Sequence, residues 1–98
     1  MPFLTNTGFP FTEAGIAANA PRSSGVYGIY KPNTWIYVGE SGDIQARLYE
    51  HLRGQSEQSG CILGYNPTGF IFELSAAANR VARERTLIAE LNPVCNRA

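Results

Sequence analysis

Arg47 and His51 stand four residues apart, and Glu84 interrupts an otherwise apolar series of Ala77, Val81, Ile88 and Leu91. Each of these residue types brings a chemistry. Arginine presents a planar fork of donors suited to phosphate. Histidine changes charge near neutral pH and serves as acid or base. A carboxylate on an apolar face is costly unless it is paired, hydrogen-bonded or bound to a cation. Tyr27, Tyr30 and Tyr37 lie in or beside glycine-containing triplets in the stretch "GVYGIYKPNTWIYVG", residues 25–39, and add three hydroxyls. Plainer accounts exist for all of them. Tyrosine suits strands, Glu84 could pair with Arg80 or Arg47, His51 could be a satisfied histidine at a sheet edge, and Arg47 could lay its stem along that edge. Convergence of Tyr, Arg, His and Glu on one small sheet weighs toward a site, because perturbable groups that face one another are what active sites contain.

The elements that would hold these residues follow from pattern and punctuation. Thr12 precedes "EAGIAANA" and Pro21 follows it, which predicts a short N-terminal helix near 12–19. Residues 25–30 and 35–39 read as strands joined by Lys31-Pro32-Asn33-Thr34. Ser41-Gly42-Asp43 offers a cap for a helix over about 43–53, on which Ile44, Leu48 and Leu52 form the apolar face and Arg47 and His51 lie beside it. The polar, glycine-rich run from 54 to 69 reads as a surface loop, long enough to suggest mobility or function. "FIFEL", 70–74, alternates as a third strand, and 77–91 is rich in helix formers and stops before Pro93. The expectation is an α+β fold with a small three-stranded antiparallel sheet flanked by helices and a short N-terminal helical extension.

With these residues in place, the chain resembles the GIY-YIG nuclease superfamily, which includes homing endonucleases, some restriction enzymes and the incision half of a bacterial excision-repair nuclease. Gly25-Val26-Tyr27, nine intervening residues and Tyr37-Val38-Gly39 match the two name-giving motifs. Arg47 follows Gly39 by eight positions with His51 one turn on, and Glu84 is followed by "LI" and then "LNPVCN", ending at Asn96. The match runs from about Ser24 to Asn96, which implies one domain with 24–96 as core and 1–23 as an extension. Gly28-Ile29-Tyr30 is then a decoy, because strand parity sends Tyr27 and Tyr30 to opposite faces. Tyr27 and Tyr37 share a face if Tyr30 lies opposite Ile36, and Gly39 then sits across from Tyr27 and leaves its ring room.

The resemblance implies a metal-dependent DNA endonuclease. Glu84 would hold one divalent cation, Mg²⁺ or Mn²⁺, and Arg47 would contact the scissile phosphate. Tyr27 and His51 are rival general bases, and His51 has the advantage of an ordinary pKa of roughly 6.5. Tyr37 would orient water or phosphate, Gly25 and Gly39 support the site, and Asn96 would tie the tail to the sheet. Arg53, Arg80, Arg83 and Arg85 are candidates for DNA contacts. Glu40 departs from the lysine that some members carry; with Asp43 nearby it would repel a phosphate strand or draw a second cation.

Composition sets the boundaries. A chain of 98 residues makes a single domain. No apolar run is long enough to span a membrane, and "MPFLTNTGFPF" lacks the features of a signal peptide, so a cytoplasmic protein is expected. Cys61 and Cys95 have no partners at metal spacing and are expected to be free thiols in a reducing compartment. Eight basic and eight acidic residues cancel. DNA binding usually shows as basic excess, so targeting by a partner protein or self-association is expected. The rival function is a nucleic-acid-binding or accessory module that keeps the fold without cutting.

Overall fold

A computed structural model describes Phe3 and residues 7–96. The elements in chain order are β1 (Phe9–Pro10), α1 (Glu13–Asn19), β2 (Gly25–Lys31), β3 (Thr34–Ser41), α2 (Ile44–Leu52), α3 (Ser59–Gly64), β4 (Gly69–Leu74) and α4 (Ala77–Leu91). The sheet is antiparallel with order β1-β4-β2-β3, so it has four strands where three were expected. The extra strand is only two residues long, paired Phe9 to Phe70 and Pro10 to Gly69. Proline is tolerated at an edge because no ladder partner needs its missing N–H.

The starts of α1 and α2 follow the capping chemistry. The Thr12 hydroxyl accepts from the Gly15 N–H at 2.9 Å. The Asp43 carboxylate does the same for the Ala46 N–H at 3.0 Å. Within the expected loop of 54–69 the chain makes a further short helix, α3, with no side-chain cap. Ile62 anchors it by full burial. Cys61 ties it to the C-terminal tail through a disulfide with Cys95, their Cα atoms 5.9 Å apart. The expectation of two free cysteines is therefore overturned: separation in sequence says nothing about distance once the tail pairs with β3 and brings Cys95 beside α3.

Strand parity divides the core. Tyr27, Ile29, Ile36, Phe70, Ile44, Leu48 and Ile62 share the cluster beneath α1, α2 and α3. Val26, Val38, Ile71 and Leu87 share the cluster beneath α4, with Tyr30 and Trp35 packed on it. Tyr27 pairs with Gly39 as expected, but Tyr30 pairs with Trp35 rather than Ile36. The register shifts between Ile29 and Tyr30, leaving Ile36 as the extra residue of a bulge. The turn closes in two residues, Pro32 and Asn33, and asparagine tolerates the φ of 63° found there.

The stripe expected on α4 is also corrected. Leu87 is the fully buried residue, Val81 is 45% exposed and Ala77 lies in solvent. Only the second half of α4 packs apolar residues on the sheet. Its first half meets the sheet through ion pairs, Arg80 with Glu40 and Arg83 with Glu73.

Candidate active site

The site lies where β2, the β3 edge, α2 and α4 meet. Tyr27 is buried in the middle of β2, between β3 and β4. Glycine at 39 is required there, because a Cβ at that position would collide with the Tyr27 hydroxyl and ring. Glycine at 25 has a separate cause: a Cβ would run into the Glu73 carbonyl and the Ile44 side chain. Gly25 lets β2 pass close beneath α2 and alongside β4.

On α2, the i, i+4 spacing of Arg47 and His51 places both over the sheet. The Tyr27 hydroxyl lies 2.7 Å from His51 Nε2. The Tyr37 ring stands edge-on to the His51 ring with centroids 5.3 Å apart, and 6.3 Å from the Tyr27 ring. His51 is completely buried, with its second nitrogen, Nδ1, 2.6 Å from Ser56 Oγ. It is thus a doubly satisfied core histidine that also touches a candidate catalytic hydroxyl.

Burial, followed by the Arg47 charge, holds the His51 pKa down to about 4. The ring is neutral at pH 7, and the advantage expected from an ordinary value disappears. Burial also pushes the Tyr27 hydroxyl well above its usual range, with Tyr37 adding to the effect and Arg47 opposing it. Neither rival base is poised by itself. The structure joins them by one hydrogen bond.

Arg47 donates to Glu50 Oε1 at 2.6 Å and to Gln58 Oε1 at 3.2 Å, and its side chain is 32% exposed. It is both oriented and reachable. Glu84 approaches from α4, half-buried. Burial raises its pKa, Glu40 adds repulsion, and the Glu40 backbone N–H and Arg85 oppose the shift. The Glu84 charge is felt by Tyr37 and Tyr27.

Glu40 is answered by Arg80, which stands one turn before Glu84 on α4. Arg80 Nε donates to Glu40 Oε1 at 2.5 Å, and Nη1 donates to Ser24 Oγ at 3.1 Å. The departure from lysine is thus compensated locally: the carboxylate at 40 has a guanidinium of its own. No set of three or more His, Cys, Asp or Glu residues that could form a closed metal cage occurs among the described residues. A half-buried carboxylate with open surroundings nevertheless suits Mg²⁺, which keeps several waters and takes one or two carboxylates.

Asn96 closes the β3 edge. Its Oδ1 accepts from the Val38 N–H at 2.8 Å and its Nδ2 donates to the Val38 carbonyl at 2.9 Å. Val94 and Cys95 continue this pairing with the carbonyls of Trp35 and Ile36. The tail thereby fixes the strand that carries Tyr37 and Gly39.

Tyr27, Tyr37, Arg47, His51 and Glu84 are brought together, with Arg80 and Arg85 alongside. Arg53 and Arg83 are not. Arg53 makes two hydrogen bonds to Glu13 and stacks on the Tyr49 ring, whereas Arg83 grips the buried Glu73. Tyr30 sits on the opposite face, edge-on to Trp35. Sequence reasoning missed Ser56, Gln58 and Ser59, which support His51 and Arg47 from the supposed loop. The available signal was that a core histidine needs a partner for its second nitrogen, and a serine lies five residues on.

Three solved structures share this fold. Magnesium-bound crystals of the GIY-YIG N-terminal endonuclease domain of UvrC from Thermotoga maritima share the fold at a TM-score of 0.72 and 23% identity, covering 88% of this chain and 100% of that one. A tyrosine-to-phenylalanine mutant of that domain, bound to its catalytic divalent cation, matches at 0.72 and 23% identity over 89% of this chain and 100% of that one. An asparagine-to-alanine mutant matches at 0.70 and 24% identity over 86% and 96%. Comparison with curated protein sequences returned no match. The GIY-YIG catalytic domain model matches residues 23–97, spanning both tyrosine triplets, the α2 pair, Glu84 and Asn96, and the chain belongs to that family of nuclease-fold domains.

Proposed function

We propose that this protein is a DNA endonuclease that hydrolyses phosphodiester bonds with a single divalent cation, its catalytic core being residues 24–96. The observation that carries the reading is the Tyr27–His51 hydrogen bond of 2.7 Å. It sits among Tyr37, the oriented Arg47 and the half-buried Glu84. Hydrolysis needs an attacking oxygen relieved of its proton, and compensation of charge growing on the phosphate.

Arg47 supplies charge compensation. Glu50 and Gln58 hold it in place before substrate arrives, and loss of such a preorganised contact costs on the order of 3 kcal/mol in barrier. The Tyr27–His51 couple takes the proton. A phosphate seated on Arg47 offsets the positive charge that depresses His51, so substrate binding itself makes the ring more basic. Tyr37, within reach of both rings, orients water or phosphate.

Glu84 would hold the cation, with water completing the shell, and Mg²⁺ or Mn²⁺ would supply Lewis-acid stabilisation of the phosphoryl and leaving oxygens. Arg80 keeps Glu40 from adding an uncompensated negative charge beside it. Arg85 and Arg80 lie on the same helix as Glu84 and offer the nearest further contacts to a DNA backbone.

A net charge of zero, with Arg53 and Arg83 ion-paired, favours delivery of the domain to DNA by a partner protein or by self-association. Its setting is DNA repair, recombination or mobile-element processing. The same neutrality favours a second reading, a binding or accessory module that does not cut. Incubation with nicked, branched, flapped and supercoiled DNA, with and without Mg²⁺ or Mn²⁺, separates the two. Metal-dependent scission of any of them supports the nuclease; binding without scission under all conditions supports the module.

A further inference from the structure

Four side chains form a hydrogen-bonded line from the candidate catalytic hydroxyl to the backbone of α2. Tyr27 Oη lies 2.7 Å from His51 Nε2, His51 Nδ1 lies 2.6 Å from Ser56 Oγ, and Ser56 Oγ lies 2.8 Å from Ser59 Oγ. Ser59 Oγ donates in turn to the His51 carbonyl at 3.1 Å, with the Glu50 carbonyl at 3.3 Å.

The direction of every bond follows from the fixed end. Carbonyl oxygens only accept, so the single hydroxyl proton of Ser59 goes to them. The Ser56 backbone N–H, which only donates, reaches Ser59 Oγ at 3.1 Å. The contact between the two hydroxyls therefore needs the Ser56 proton. With that proton committed, Ser56 Oγ can only accept from the ring, so Nδ1 carries the hydrogen. A neutral imidazole has one N–H, which leaves Nε2 as a bare lone pair facing the Tyr27 hydroxyl.

We propose that Ser56 and Ser59 are positioning residues that lock His51 in its Nδ1–H tautomer, so that Nε2 withdraws the Tyr27 proton while Tyr27 Oη takes one from the attacking water. The inference rests on the nuclease reading for its catalytic consequence only. In the step, one water O–H bond breaks and a proton joins Tyr27 Oη. The Tyr27 proton passes to His51 Nε2, and the water oxygen bonds to phosphorus as the phosphodiester P–O bond breaks. The leaving oxygen is protonated from solvent, and the imidazolium later returns its proton to solvent. Tyrosine is left unchanged, so its burial never has to accommodate a lasting phenolate. Without the serine line, Nε2 could carry the hydrogen instead, and the couple would have no acceptor for the tyrosine proton.

His51 is the chain's only histidine, so ¹⁵N NMR of the ring reads the tautomer without ambiguity. The wild type should show the Nδ1–H form at pH 7. Ser56→Ala should give a tautomer mixture and slow single-turnover cleavage by roughly 10–100-fold, with substrate affinity little changed and the thermal midpoint lowered by the loss of a buried hydrogen-bond partner. Ser56→Thr, which restores the hydroxyl, should recover both. If Ser56→Ala does not fold, Ser59→Ala serves, because it frees the Ser56 proton to turn toward Nδ1 and should also mix the tautomers. An Nε2–H ring in the wild type overturns the proposal. So does an unchanged tautomer or rate in the foldable alanine variant. If the wild type cuts no DNA, the nuclease reading has failed and the NMR comparison alone decides whether the serines set the tautomer.

Discussion

Lowering the pH should destabilise this domain through His51 in a way that can be isolated. The folded-state pKa is held down to about 4 by burial and then by Arg47, against about 6.5 in an unfolded chain. Between those values the unfolded chain binds a proton that the folded chain refuses, so stability rises with pH across the window. The contribution is fully present above about pH 6.5 and is lost as the pH falls toward about 4. At 1.36 kcal/mol per unit, the full window is worth about 3 kcal/mol, and most of it is gone by about pH 4.5. Carboxylates titrate near the bottom of the window too, but they are common to wild type and His51→Gln. Urea denaturation of both proteins at about pH 7.5 and 4.5 therefore gives the histidine term as a difference of differences. The wild type should lose about 2–3 kcal/mol more than the variant. Equal losses, or an NMR titration of His51 with a midpoint near 6.5, would refute the claim that its site excludes the charged ring.

Other expectations follow from the same geometry. Tyr27→Phe should abolish cutting while Tyr30→Phe cuts near the wild-type rate, since both keep ring volume and only Tyr27 faces His51; equal losses in a gel cleavage assay would sink the register argument. Cys95→Ser should lower stability in denaturant by roughly 3–4 kcal/mol, as expected for a cross-link spanning a sequence separation of 34, and reductant should then have no further effect on it. DNA affinity should fall only gently with salt, at a log–log slope of roughly −2 to −4, because Arg53 and Arg83 are engaged by Glu13 and Glu73. A slope of about −6 or steeper in fluorescence anisotropy would mean that those ion pairs open on DNA.

What could be read from the sequence, and what could not, divides along physical lines. Capped helices and alternating strands were legible because Thr12, Asp43 and the 25–39 tyrosine pattern act locally. The pairing of Tyr27 with Gly39 was expected on the condition that Tyr30 faced Ile36; Tyr30 faces Trp35 instead, and the bulge at Ile36 restores the register at Tyr27. Tertiary context decided the rest. The bulge leaves no local mark in the sequence: Ile36 is fully buried and its carbonyl accepts from Cys95 in the tail. A two-residue β1 carries no periodicity, and α3 is held by Ile62 and Cys61 rather than by a cap. The apolar stripe on α4 misled because helix periodicity does not say how far along its length a helix rests on the sheet. Glu40 looked like a defect until Arg80, forty positions on, was placed beside it. The serines behind His51 lay hidden in a segment whose composition reads as loop.

The central claim is that Glu84 holds the cation on which phosphodiester cleavage depends, and cation titration of cleavage by wild type and Glu84→Gln tests it most directly. The wild type should cut at least one DNA form with a rate that saturates in Mg²⁺ and vanishes with chelator. Glu84→Gln should remain folded, with a thermal midpoint equal to or above that of the metal-free wild type because a half-buried charge has been removed, and should not cut at any Mg²⁺ concentration. Persistent cutting by folded Glu84→Gln, or loss of the fold on that substitution, would make Glu84 a structural residue and contradict the account.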